Sequence, residues 1–387
     1  MVTRPRPPDL ECARELAPLV AAHGDEAEAA RRLPDALVAA FVKARLFQMY
    51  VPHEFGGDEI DYVESLRIFE ELARADGAAG WNVMIGAGNG RYAANMEPGP
   101  ATEIFSDPEA IWAAAFPIGG RLEAVPGGFR LSGRWPYCSG CQQSTWFLAG
   151  CLVSDGEHAR RTADGHPEMR VAVLPRSDWQ IIETWNTSGM RGTGSHDIAV
   201  DRAFIPADRT FNLTGPLKSD APLFRIPAFS ALGPGVAAVS LGIARHALDG
   251  FVELARAKRH AISNVNTQER ALARIRISEA EGVLRAARAF YFESVEASWA
   301  MARQGRQPSL QERALLRIAC VNAAQSAARA VDLVFSVSGS SAIQASAPIE
   351  RCWRDVHTAT THATVAEVNF ETTGQVLFGQ DPGPVLL

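Results

Sequence analysis

The chain has 387 residues, 47% of them hydrophobic and 21% charged, with a formal net charge of −6. This is the composition of a globular protein of two or three domains or subdomains, and it shows no basic stripe of the kind that binds nucleic acid. The start, "MVTRPRPPDLECARELAPLV", lacks the apolar core of a signal peptide, and no uninterrupted apolar run is long enough to span a bilayer. A soluble, cytoplasmic protein without membrane contact is therefore expected.

The first hundred residues predict helices. "DEAEAARRLPDALVAAFVKARLFQM" alternates charged and apolar faces until "VPHEFGG" breaks it. Asp61 and Glu64 form a capping-box-like start, and Val63, Leu66, Phe69 and Leu72 follow at three-residue steps on one buried face. "GWNVMIGAGNGRYAANM" continues as a buried, glycine-rich helix.

From about Ile111 the runs become short, β-branched and aromatic, punctuated by Gly, Pro, Asp and Ser, which predicts an all-β block. "LTGPLKSDAPLFRIPA" resembles a linker. From about Phe229 long amphipathic helices return. Leu272, Ile275, Val283, Leu284, Ala287, Tyr291 and Val295 mark the core face of one, and another is expected from about Pro348 towards Phe378. Such helices joined by short loops predict an antiparallel bundle. The fold class is α+β multidomain: helices at 1–110, a β-domain at 111–213 and a helical bundle at 214–387.

Six cysteines are scattered along the chain, as suits a reducing compartment. Cys138 and Cys141 form a C-x-x-C, but no second pair or His-x(3–5)-His follows to complete a zinc site, and no βαβ unit surrounds them. They read as half-buried thiols flanking a Ser139–Gly140 turn, and no metal is expected. "GAGNG" at 86–90 fails as a dinucleotide fingerprint, because Arg91 stands where the third glycine belongs.

Three features could carry chemistry. One is the Ser139–Gly140 turn. Another is "TWNTSGMRGTGSHDIAVDRAFIP", Thr184 to Pro206, whose glycines let backbone N–H groups approach a flat ligand. The last is "IERCWRDVHTATTHATVAEVNFE", placing Arg351, Arg354, Asp355, His357 and His362 on a helix. His357 and His362, five apart, are a poor metal pair.

In order and spacing, "VPHEFGG", "GGFRLSGRWPYCSG", "GMRGTGSHDIAVDRAFIP" and "IERCWRDVHTATTHA" resemble the acyl-CoA dehydrogenase superfamily of flavoproteins over nearly the whole chain. The resemblance implies an N-terminal helical domain, a barrel-like middle β-domain and a C-terminal four-helix bundle, usually in a homotetramer with flavin between β-domain and bundle. Dehydrogenases of this family abstract a proton with a glutamate shortly after the "RD". That place falls here at Ala363, and "FSALGPGVAAVSLGIAR" offers no acid in its stead.

Ser139–Gly140 and His362 instead resemble the flavin-dependent monooxygenase branch, the oxygenase components of two-component, group D systems. Such enzymes take reduced flavin, FMN or FAD, from a separate NAD(P)H-dependent flavin reductase and hold a C4a-hydroperoxyflavin in a closed pocket. They then hydroxylate, or oxidise at N or S, an aromatic or heteroatom-bearing small molecule. The resemblance gives Ser139 a hydrogen bond with the reduced flavin N5–H. It gives His362, titrating near neutrality, a role in peroxide formation or substrate deprotonation. It also places Trp185 and Ser195 beside the flavin, and Arg259, Gly339 and Ser340 at its phosphate end from a neighbouring subunit. Asn89 stands roughly where some members carry a further histidine, and Asn89 and Tyr137 are expected at the substrate pocket. The segment after Arg259, "HAISNVNTQ", lacks the Phe-Gly of the dehydrogenases. The alternatives are an atypical FAD-dependent acyl-CoA dehydrogenase with another base, or a flavin-free binding protein of the same fold.

Overall fold

The computed structural model describes residues 6–156, 158–259, 265–345 and 347–383. Helices come first: α1 (Leu10–Ala22), α2 (Gly24–Ala30), α3 (Asp35–Lys43), α4 (Tyr62–Ala75), α5 (Gly77–Gly90) and α6 (Pro98–Phe105). Asp61 caps α4 by accepting from the Val63 and Glu64 amides. The expected capping box is not closed, because Glu64 accepts from Leu10 N at 2.8 Å and so ties α1 to α4. A single residue, Asp76, separates α4 from α5 and caps the latter through the Ala79 amide.

The strands are β1 (Trp112–Val125), β2 (Gly128–Trp135), β3 (Trp146–Asp155), β4 (His158–Ala159), β5 (Met169–Pro175), β6 (Gln180–Ile182), β7 (Asp197–Pro206) and β8 (Thr210–Phe211). They form one sheet in the order β6-β7-β2-β1-β3-β5-β8, with β4 paired to β3. The β1–β3 pair is parallel, and its register shifts between Ala115 and Gly120. That irregularity releases Phe116 to Gly119 from the ladder to wall a cavity. The sheet encloses its own core of Trp135, Phe147, Cys151, Leu174 and Ile198. Trp135 lies against Gly120, where any Cβ would meet the indole at 2.2 Å.

After the short α7 (Pro222–Arg225) come α8 (Ala228–Ala257), α9 (Ala271–Arg303), α10 (Leu310–Ser338), α11 (Pro348–Thr360) and α12 (Asn369–Leu377). The interior faces of α8 and α10 are crowded with Ala and Val, which lets the backbones approach closely. One continuous core joins this bundle to α4 and α5. The stretch Ser230–Ala257 of α8 is apolar and long enough to cross a membrane, but 78% of its most apolar window is buried inside the fold.

Two expectations about the helices are corrected. The run from Pro348 to Phe378 is not one helix: the chain turns over residues 361–368, leaving His362 off the helix. Leu272 and Ile275 are exposed at 48% and 58%; the buried face of α9 runs instead through Ala273, Ala280 and Leu284.

The α4–α8 seam depends on Gly242, where a Cβ would stand 2.2 Å from Glu70 O. Gly242→Leu should cost about 1–3 kcal/mol by forcing the helices apart. Urea unfolding checks this, and an unchanged midpoint would contradict the tight seam.

Candidate active site

Four segments converge on a cavity of about 770 Å³: α5, the β2–β3 turn, the β6–β7 loop and the turn after α11. Its walls are largely aromatic and apolar, with Tyr50, Phe69, Trp81, Met84, Phe116 and Trp185 among them. Such an enclosure suits a small organic ligand with a few polar groups fixing its orientation.

On one side a line of hydroxyls runs through the wall. Trp81 Nε1 donates to Ser139 Oγ at 3.1 Å, and Ser139 Oγ lies 2.7 Å from Ser195 Oγ. Ser195 Oγ lies 2.7 Å from Thr193 Oγ1, which donates to Met190 O at 2.8 Å. The indole N–H can only donate and the carbonyl can only accept, so the direction of every bond between them is fixed. Ser139 donates to Ser195, Ser195 to Thr193, and Thr193 to Met190 O. Every hydroxyl proton is consumed, and what Ser139 and Ser195 have left is lone pairs.

The loop that carries this line is held in an uncommon shape. Met190 is left-handed at φ 53° and Gly194 at φ 55°. Trp185 spans the same loop, its Nε1 donating to Met190 O at 3.0 Å and its amide to His196 Nδ1 at 3.0 Å. Beneath it, Asp355 of α11 accepts from Met190 N. The rest of that helix face is charged: Arg351 pairs with Asp25 and Asp76, and Arg354 with Glu28 and Glu350 while donating to Ser188 O.

His362 lines the same cavity and meets the line through Trp81, its ring edge-on to that indole with centroids 5.5 Å apart. The Thr364 amide donates to Nδ1 at 3.3 Å, and Thr364 Oγ1 lies 2.9 Å away. Nδ1 therefore accepts and the ring proton resides on Nε2. Removal from bulk water, reinforced by the Arg317 charge, pushes the imidazole down to about 4. This corrects the expectation of a group titrating near neutrality: at pH 7 His362 is a neutral ring and an Nε2–H donor.

Ser139, Ser195, Trp185 and His362 are thus gathered around one cavity, and Tyr137 and Asn89 line it too. Tyr137 is 73% exposed at the mouth, in a left-handed conformation (φ 62°), with its ring perpendicular to Trp185. Asn89 spends its amide on Trp112 O at 2.9 Å, so it braces β1. Arg259, Gly339 and Ser340 lie outside this cavity, where α8 and α10 end side by side. There Lys258 Nζ donates to Ser338 O at 2.8 Å. Residues 260–264 of the segment after Arg259 lie outside the described residues. His357 lies on the outer face of α11 and pairs with Asp332 at 2.9 Å.

The C-x-x-C thiols are fully buried, not half-buried, and free. Cys138 faces Trp135 O and Cys141 faces Gly194 O, each at 3.3 Å. Burial pushes both thiols up, Cys141 to about 12, which leaves them unreactive packing around the Ser139 turn. Sequence reasoning missed Trp81, Thr193 and Met190 as parts of the line. The "GW" dipeptide was the available signal for Trp81; nothing local marks a carbonyl that terminates a hydroxyl chain.

The comparisons agree with this geometry. A family description, acyl-CoA dehydrogenase, N-terminal domain, matches residues 11–96, and acyl-CoA dehydrogenase, C-terminal domain, matches 234–367. Indole-3-acetate monooxygenase of Pseudomonas putida is 33% identical over 355 residues, 92% of this chain and 89% of that one. The oxygenase subunit HsaA of a flavin-dependent monooxygenase from Rhodococcus jostii is 28% identical, over 90% of this chain and 92% of its own. XiaF from Streptomyces, solved in complex with FADH2 and glycerol, superposes with a TM-score of 0.88 at 27% identity, covering 98% of this chain and 96% of that one. By fold and sequence the chain belongs to the acyl-CoA dehydrogenase family. Within it the chain belongs to the flavin-dependent monooxygenases, oxidoreductases whose cofactor is flavin. The dehydrogenase alternative is not favoured: among the described residues no Asp or Glu lines the cavity, and Ala363 occupies the place expected for the base.

The wall fits a flavin ring edge that carries an N–H donor. The lone pairs left on Ser139 and Ser195 can accept from such an N–H, and N5 of a flavin carries one when reduced. Ser139 and Ser195, with Trp185 beside them, would hold that edge of the ring.

Asp355 gives a prediction with a definite sign. Burial first, and then the Asp76 charge, raise its carboxyl from 3.8 to about 7. The unfolded chain therefore loses this proton first, and stability falls as pH rises from about 4 to 7. Asp355→Asn keeps an oxygen for Met190 N and should flatten that slope in thermal melts. Asp355→Leu should cost about 1–3 kcal/mol by stranding the amide. An unaltered slope in the Asn variant would contradict the assignment.

Proposed function

We propose that the chain is the oxygenase component of a two-component system that oxygenates an aromatic small molecule, with Ser139 and His362 both acting in the flavin-binding cavity. Reduced flavin, FMN or FAD, arrives from a separate NAD(P)H-dependent reductase in the cytoplasm. When bound, it activates O2, delivering one oxygen atom to substrate and releasing the other as water. The chain's own contribution is orientation, exclusion of water and control of protons. Ser139 accepts a hydrogen bond at its free lone pair, retaining the proton on the donor and slowing wasteful release of peroxide. His362, neutral and with its ring proton on Nε2, donates to developing negative charge without itself carrying charge. Trp185 and Ser195 flank the ring.

Arg259, Gly339 and Ser340 suit the phosphate end of a flavin bound by a neighbouring copy in a homotetramer. Their separation from the cavity supports that reading, since one subunit's cavity does not include them. The aromatic walls, together with a relative named for indole-3-acetate, support an aromatic substrate.

The observation that carries the proposal is the one-directional hydroxyl line ending in acceptors, in the same cavity as a neutral imidazole. Anaerobic protein loaded with reduced flavin and then mixed with O2 and substrate tests it, with product and peroxide both counted. Ser139→Ala and His362→Asn should each raise the share of peroxide severalfold. Ser139→Ala should also erode the preference for reduced over oxidised flavin by about 10-fold. Unchanged coupling in both variants would remove these residues from the mechanism. Bleaching of bound FAD by an acyl-CoA thioester, with no oxygenated product, would favour the dehydrogenase instead.

A further inference from the structure

Two arginines line the cavity, and they differ in what balances them. Arg134 lies at the mouth, half-exposed, and its Nε donates to Asp197 at 2.7 Å. Arg91 is deep, only 7% exposed, and among the described residues no carboxylate pairs with it. Its one hydrogen bond runs from NH2 to Ile226 O at 2.5 Å, while NH1 is buried without a partner. The groups that feel its charge are phenols, Tyr50, Tyr62 and Tyr92, each held protonated by burial. A buried guanidinium lacking both an anion and a full set of acceptors is an unfinished interaction. In sequence Arg91 only spoiled a glycine motif; in space it is a buried part of the lining of the cavity.

Helix α5 sets the scale of that chamber. Trp81, which anchors the hydroxyl line, and Arg91 are ten residues apart, about 15 Å along a helix axis. Met84, Ile85 and Gly88 line the cavity between them, and a Cβ at Gly88 would meet nothing within 4 Å. On the proposed reading the flavin edge meets the hydroxyl line at the Trp81 end, so an aromatic ring next to it would turn its far substituent towards Arg91.

We infer that Arg91 binds the carboxylate of an aromatic acid, and that the substrate of this enzyme is an aryl or arylalkyl carboxylate carried with its acid group towards the C-terminal end of α5. The inference rests on the reading of this cavity as a monooxygenase substrate site. The anion supplies the charge and the acceptor that Arg91 lacks, through the planar donor fork that suits carboxylates. A neutral aromatic of the same shape leaves the guanidinium as it is now.

The test compares acids with their primary amides. Indole-3-acetate, phenylacetate and 4-hydroxyphenylacetate, each beside its amide, are titrated calorimetrically into the anaerobic protein loaded with reduced flavin, and oxygenated product is then measured after adding O2. The native protein should bind at least one acid about 10- to 100-fold more tightly than its amide. Arg91→Met should abolish that preference while leaving amide affinity unchanged, and Arg91→Lys should retain part of it. Acids that bind no better than amides, or not at all, overturn the inference. So does an Arg91→Met variant that weakens acid and amide equally, since that marks a merely structural residue. If Arg91→Met does not fold, the acid-to-amide ratio in Arg91→Lys decides: an undiminished ratio overturns the inference. Oxygenation of amides as efficient as that of acids removes only the role of Arg91. Absence of oxygenated product from the whole panel, with reduced flavin bound and at least one acid favoured over its amide, removes the monooxygenase reading and leaves the binding site.

Discussion

The buried carboxylate of Asp355 holds the architecture of the site together. It reaches out of the C-terminal bundle to accept from Met190 N, in a loop of the β-domain that no regular ladder supports. Arg351 and Arg354 on the same helix face extend the connection to α2, to the cap of α5 and to Ser188 O. One short helix thus clamps three parts of the chain. Gly189 shows how closely: a Cβ there would stand 2.2 Å from Arg354 O. A loop held this firmly can keep a left-handed residue in place and present its carbonyl in one direction.

That carbonyl gives the chemistry its polarity. A line of three hydroxyls is ambiguous alone, because each can donate either way. With an indole N–H at one end and Met190 O at the other, only one arrangement uses every donor. The wall then offers lone pairs to the ligand, while the imidazole lining the same cavity, kept neutral by burial, offers a proton. Acceptors from the hydroxyl line and a neutral donor in one cavity form a site that handles protons with uncharged groups. Of the two arginines that line the cavity, the buried one, Arg91, is ten residues along the chain from Trp81.

Much of this was legible in the sequence. The alternation of α, β and α segments follows from periodicity, since each helix or strand must turn an apolar face inwards. The Ser139 turn, Ser195, Trp185 and His362 were found through order and spacing of motifs, and the structure gathers all four around one cavity. Other parts were not legible. Periodicity carried the last helix through residues 361–368, because turn residues such as Thr361 and His362 do not break a pattern on their own. The N-terminal part of α9 has apolar residues at helical spacing, yet Leu272 and Ile275 face outward since no neighbouring element covers them. Glu64 is spaced for a capping box, but a tertiary partner, the orphan amide of Leu10 at the start of α1, takes its carboxylate.

By itself the sequence determined the elements, their order, the family they belong to and the identity of the groups that can do chemistry, because those depend on local pattern and on side-chain type. Only the tertiary structure decided what state those groups are in. The direction of the hydroxyl line, the neutrality of His362, the inertness of Cys138 and Cys141 and the isolation of Arg91 all arise from partners far away in the chain and from exclusion of water. Hydrogen-bond direction and charge are properties of an environment, and that environment exists only once the three parts of the fold have closed upon one another.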